Sequence, residues 1–259
     1  MKYLKEKDFI LAEFKNAFNK FYFNNPAQDK KSDFDVVTKI DKDIEKYLIK
    51  RIEVEFPGDV VISEETHQKV KIGVRTRVID PIDGTFNMAR GSKIFGCQCA
   101  LIVDNELVMS IVYAPFLNEE YYAIKGEGAY KNGVKIPKFN GETPLSISII
   151  DFGDFPHSLP EILNKQLIWY QNIIKSVGKI RMFGAACLEF SFLATHLVDA
   201  YIIPTRNLWD LLPGLLIAKE CGAIISNLKG EPYKFGDLGV IAANSEGLHR
   251  FLVENISSE

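Results

Sequence analysis

The sequence predicts a mixed α/β fold of the α+β type, and three observations carry that expectation. The N-terminal segment repeats apolar residues at helical spacing. After Asn87, as far as Gly133, the chain is a series of short apolar runs separated by turn residues, as in an antiparallel meander. From Leu145 onward, strand-like runs alternate with helical ones.

The chain has 259 residues, 47% hydrophobic and 25% charged, enough for one large domain or two intimate lobes. Expected is a single domain over 1–259 with a soft boundary near 137–144, dividing 1–140 from 141–259. A net charge of -3 gives no electrostatic case for nucleic-acid binding. No run of about 18 apolar residues suggests a membrane span, and no leader pattern opens the chain. Cys97, Cys99, Cys187 and Cys221 form no CxxC pair, which fits thiols in a reducing cytoplasm. His67, His157, His196 and His249 are too scattered for metal-ligand spacing, and no GxSxG elbow is present.

In order, Leu4 to Phe23 places Ile10, Phe14, Phe18 and Phe21 on one helical face. Pro26 marks a polar loop that carries Lys30. Thr38 can cap a helix with Asp41 at its third position and Ile44, Tyr47, Leu48 and Ile52 on one face. Val60 to Ile62 is a short strand running into Glu64 and Glu65.

Val74 to Ile79 alternates as a strand does, and Pro81, lacking an N–H, is expected to end it. Asp83 can cap the following helix, and Gly84 lets backbone approach a ligand. Asp80, Asp83 and the Ile82 carbonyl could supply the hard oxygens that Mg²⁺ prefers. The N–H groups of Gly84 and Thr85 could hold a phosphate. Such a short motif also serves as an ordinary capped turn. An aspartyl-nucleophile phosphatase of the haloacid-dehalogenase kind would need an acid where Pro81 stands, and no P-loop occurs.

Cys97 to Val103 and Glu106 to Ala114 form strands joined through Asp104-Asn105, with Cys97 and Cys99 on one core-facing side. Glu120 to Ile124 is the next strand, and Asn132-Gly133 marks a hairpin turn. Leu145 to Ile150 reads as a strand, Leu159 to Tyr170 as a helix, and Lys179 to Phe183 as a strand. A helix is then expected from Gly184-Ala185-Ala186 through Leu197. Ala200 to Ile203 is a strand, with Asp210 placed to cap a helix over 211–218.

The string Asp80-Pro81-Ile82-Asp83-Gly84-Thr85-x-Asn87 resembles the core motif of the inositol monophosphatase family, which are metal-dependent, lithium-sensitive phosphatases. Five further elements resemble that family in order across nearly the whole chain. They are Val37-Thr38 with Asp41, Glu64-Glu65, Gly126 through Gly133, Gly184-Ala185-Ala186 and Trp209-Asp210. The resemblance implies a layered αβαβα sandwich, commonly dimeric. It implies metal ligation by Glu64, Asp80, Ile82, Asp83 and Asp210, catalytic roles for Asp41, Thr85 and Glu64, and two or three Mg²⁺ ions, with Mn²⁺ as a substitute. Gly84 and Thr85 would bind the phosphate, and Gly184 and Ala186 would line the alcohol side. The family's hydroxyl-binding acid is replaced here by Ile203. Arg206 and Lys30 add positive charge that would favour a second phosphate, as in fructose 1,6-bisphosphate or 3′-phosphoadenosine 5′-phosphate. Hydrolysis of a small phosphate ester of a polyol, sugar or nucleotide is thus the expected activity. A regulatory protein of the transcription machinery with weak phosphatase activity is the alternative.

Overall fold

The computed structural model describes residues 2–22, 28–30, 36–156 and 160–256, with 28–30 and 36–38 as backbone only. The Lys30 and Thr38 side chains lie outside it. Helices α1 (Leu4–Phe21) and α2 (Lys39–Glu55) flank a two-stranded ribbon of β1 (Gln28–Lys30) and β2 (Val36–Thr38). A seven-stranded sheet follows in sequence order: β3 (Val60–Ser63), β4 (Arg75–Asp83), β5 (Gly96–Val103), β6 (Glu106–Ala114), β7 (Glu119–Ile124), β8 (Gly128–Lys131) and β9 (Val134–Lys135). Only β3 and β4 pair in parallel. A short helix, α3 (Thr85–Ala89), interrupts the meander after β4.

The second sheet has five strands: β10 (Ile149–Phe152), β11 (Lys179–Arg181), β12 (Ala200–Ile203), β13 (Ile224–Ser226) and β14 (Val240–Ala243), ordered β11-β10-β12-β14-β13. Its helices are α4 (Pro160–Ile173), α5 (Ala186–Ala194), α6 (Leu208–Glu220) and α7 (Glu246–Ile256).

Strand periodicity sorts these elements into five layers. On β4 and β5, Ile79, Cys97, Cys99 and Leu101 face α1 and α2, meeting Phe14, Phe18, Ile44 and Leu48. The intervening Val78, Ala100 and Ile102 face Trp209 and Leu212 of α6. On the second sheet, Tyr201, Val240 and Ala242 turn inward to α5 and α6. Ile150, Ala200, Ile202 and Ile241 turn outward to Trp169, Ile173, Leu248 and Leu252 of α4 and α7. The result is the expected αβαβα sandwich. Helix α5 is buried at all nine positions, which suits an apolar helix enclosed between two sheets.

Both predicted hairpin turns form. Asp104 and Asn105 have φ of 51° and 63°, and Asn132 and Gly133 have 49° and 77°, the left-handed pair of a type I′ turn.

Four boundaries differ from expectation. Pro81 does not end β4: pairing passes from Asp80↔Gln98 to Asp83↔Gly96, three steps on β4 against two on β5. The extra residue makes a β-bulge, inside which a missing N–H breaks no ladder bond. Leu145–Ile147 is a 3-10 turn, so the strand starts only at Ile149. Helix α5 stops at Ala194, where His196 takes a φ of 63° and leaves Leu197 52% exposed. Helix α6 starts at Leu208, with Asn207 at the cap, so Asp210 lies inside the first turn and does not cap it.

Candidate metal centre

The bulge in β4 determines where its acids point. In a regular strand, residues three apart face opposite sides. One extra residue restores them to the same side, so Asp80 and Asp83 converge. Helix α6 brings Asp210 to them in its first turn. One carboxylate oxygen from each of the three lies within 4.8 Å of the others. They line an open pocket of about 170 Å³ together with Glu64 (just after β3), Gly84, Thr85 and Gly184.

Each acid has its own mount. Asp80, 1% exposed, accepts from the Ile82 N–H at 3.0 Å and from Gln98 Nε2 at 3.4 Å. Asp210 accepts from Asn207 Nδ2 at 2.9 Å and Thr205 Oγ1 at 3.3 Å. Asp83 corrects an expectation: it does not cap α3, whose cap is Gly84. Its Oδ2 accepts from the Cys187 N–H at 2.5 Å, in the first turn of α5. No side chain of that helix's own flank serves this end, so a residue from β4 does so.

The electrostatics favour a cation. Burial first, then the charges of Glu64, Asp83 and Asp210, hold the Asp80 carboxyl well above its usual range. Asp210 is pushed up to about 7, by burial and then by Asp83. Asp83 is raised by burial, against the pull of the Cys187 N–H. Without a counter-ion the charged form of each of these groups is disfavoured. Clustered hard oxygens in this state fit a divalent ion. The Ile82 carbonyl accepts from Thr85 Oγ1 at 2.8 Å and keeps a second lone pair.

Gly84 is required twice over. Its φ is 84°, and a Cβ there would stand 2.9 Å from Ala185 Cβ and 3.2 Å from Gly184 O. This close approach joins the β4–α3 turn to the segment entering α5. Asn87 Nδ2 strengthens the joint, donating to Phe183 O at 2.6 Å and Gly184 O at 3.2 Å. Glu189 Oε1 accepts from the Phe183 and Gly184 N–H groups at 2.8 and 2.9 Å.

The other expected residues divide. Gly184 lines the pocket, whereas Ala186 does not line it and instead turns its N–H toward Asp83. Asp41 is 2% exposed in the first turn of α2, and it and Asp80 both act on the Cys97 thiol. Arg206 does not line the acidic pocket. Its Nη1 donates to Gly236 O at 2.8 Å, and it borders two neighbouring hollows instead. The backbone carbonyl of an adjacent loop captures it, so it adds no charge inside the pocket. Asp154, which the sequence reading passed over, does line the pocket. Its signal was position, immediately beyond the carboxyl end of a strand in a partly parallel sheet. The misplaced start of β10 hid it. All four cysteines are buried free thiols, and no helix among the described residues is long and apolar enough to cross a membrane.

Comparison with known proteins bears on this geometry. A family model described as the inositol monophosphatase family matches residues 8–259. The chain is 30% identical over 227 residues to an inositol-1-monophosphatase of Bacillus subtilis, covering 85% of this chain and 83% of that one. It is 30% identical over 205 residues to a fructose-1,6-bisphosphatase/inositol-1-monophosphatase of Thermotoga maritima, covering 78% and 76%. It is 30% identical over 219 residues to a Nus factor SuhB of Haemophilus influenzae, covering 84% and 81%. The solved structure of a Thermotoga maritima IMPase superposes with a TM-score of 0.86 at 26% identity, over 99% of this chain and 97% of that one.

Proposed function

The chain belongs to the inositol monophosphatase family, and from that premise we propose that it hydrolyses a small phosphate monoester of a polyol or sugar with Mg²⁺ as cofactor. The observation that carries the proposal is the convergence of Asp80, Asp83 and Asp210 within 4.8 Å. Glu64, Asp80 and the Ile82 carbonyl would hold one ion, and Asp80, Asp83 and Asp210 a second, with Mn²⁺ able to replace either. Divalent ions bound there lower the pKa of a water ligand and offset phosphate charge.

The chain's own groups do the rest. Thr85 spends its hydroxyl proton on the Ile82 carbonyl, so its oxygen is left to accept a hydrogen bond from the attacking water. Asp41 orients the same water from α2. The N–H groups of Gly84 and Thr85 hold the phosphate, and Gly184 borders the alcohol. The mechanism needs no covalent phospho-enzyme. Lithium sensitivity, a homodimer and a cytoplasmic location belong to the same reading.

Phosphate release from a panel of inositol, sugar and nucleotide esters, with and without Mg²⁺, tests it. Magnesium-dependent release is expected, and silence across the panel rejects the proposal. A second reading rests on the similarity to a Nus factor SuhB: a regulatory partner of transcription with weak activity. Copurification with RNA polymerase together with an inactive panel would favour it.

A further inference from the structure

Of the four acids proposed to hold metal, three ride on regular elements: Asp80 and Asp83 on β4, and Asp210 on α6. Glu64 does not. It follows β3 into the turn 64–66, yet it lines the acidic pocket. What holds that turn is an acid from another element. Glu45 of α2 is fully buried. Its Oε2 accepts from the Glu65 N–H at 2.8 Å, and its Oε1 accepts from the Thr66 hydroxyl. His67 Nδ1 lies 2.6 Å from that hydroxyl, and Gln68 Nε2 donates back to the Glu64 carbonyl. Every residue from 64 to 68 is thus tied into one network, and Glu45 is its anchor on a helix.

Burying a carboxylate costs free energy unless donors meet it. Here both oxygens are given to the two residues that follow Glu64, and bonds to a charged acceptor are stronger than neutral ones. The turn cannot swing Glu64 off the pocket without breaking them. Glu45 stands four residues after Asp41, so the two buried acids leave the same face of α2. Resting on the phosphatase reading above, we propose that Glu45 is a positioning residue for the metal centre. From α2 it sets the turn that presents Glu64 to the first of the two ions, and it acts through Glu64 rather than on the ion.

The test is a Mn²⁺ titration of the full chain stripped by chelator, with free Mn²⁺ read by electron paramagnetic resonance. Wild type should show two binding classes. Glu45→Gln, which keeps the volume and removes the charge, should weaken one class about tenfold and leave the other within about twofold. Thr66→Val, which removes one donor, should shift the same class in the same direction. Glu64→Gln should weaken that class too, and adding Glu45→Gln to it should cost no more, because the two act as one unit. In phosphate release, the Mg²⁺ needed for half-activation should rise about tenfold in Glu45→Gln, with kcat at saturating Mg²⁺ close to wild type. Glu13→Gln removes a buried acid that ties α1 to α2 through Tyr47 and Arg51, and as the structural control it should bind both ions as wild type does. Unchanged Mn²⁺ constants in Glu45→Gln, equal weakening of both classes, or losses that add to those of Glu64→Gln overturn the assignment. If Glu45→Gln does not fold, Thr66→Val combined with Glu64→Gln decides by the same cycle. A wild type that binds Mn²⁺ but releases no phosphate from any ester overturns the phosphatase reading alone, since the titration still decides what Glu45 does.

Discussion

Asp83 joins segments 104 residues apart, because one of its oxygens belongs to the start of α5 while its carboxylate faces the cage. The two duties separate by substitution. Asp83→Asn keeps an acceptor for the Cys187 N–H and removes the charge, so turnover should fall by orders of magnitude with the fold intact. Asp83→Ala loses the acceptor too, and in chelator it should be less stable than Asp83→Asn by about 1 kcal/mol. Denaturation of the two variants side by side measures that difference, and near-normal turnover of Asp83→Asn would reject its role at the metal. Nothing near Asp83 in the sequence announces its second duty, since its donor comes from a distant helix. The acids themselves were legible, because carboxylates, a glycine and a hydroxyl crowd into six residues.

Among the elements, β4 carries the heaviest electrostatic load. Arg77 is fully buried on it, with Nε donating to Asp59 at 2.7 Å, a second nitrogen donating to Glu6 of α1, and its guanidinium 3.9 Å from the Phe56 ring centroid. Arg77→Ala would leave Asp59 buried against the sheet without this cation. The expected cost is about 3–5 kcal/mol, read from urea unfolding, with residual activity of the folded fraction unchanged. A loss under 1 kcal/mol would show that Arg75, which also contacts Asp59 and Glu6, suffices. At this scale the sequence speaks unevenly. Asp104-Asn105 and Asn132-Gly133 declare their turns because few residues accept positive φ. Pro81 misleads, since the same missing N–H that ends a ladder is harmless within a bulge. The start of α6 was hidden because Leu208 and Trp209 are as apolar as the helix that follows.

Across the whole molecule, the buried acids make stability depend on pH and metal together. Asp80, Asp83 and Asp210 have carboxyls raised above their ordinary range, and burial lifts Glu189 to about 8 and Asp151 to about 9. The metal-free folded chain therefore holds more protons than the unfolded chain above the usual carboxylate range. Its stability falls as pH rises from about 4 toward 8. On the proposed reading Mg²⁺ would substitute for protons at the cage, so it should raise Tm more at pH 8 than at pH 5. Calorimetry in chelator and in magnesium at both values checks this, and an equal magnesium effect at the two pH values would contradict it. The layered architecture was legible through the family resemblance, and the burial pattern of each strand reproduces it.

The slab of α5 and α6 between the sheets has a consequence for how such a chain can diversify. Helix α6 lends an acid to the cage and α5 lends an amide, while both pack against strands from either half. Neither half holds the whole acidic cluster, so the interior cannot drift without dismantling it. On the proposed reading, novelty in what is cleaved must accumulate at the mouth of the pocket rather than between the layers.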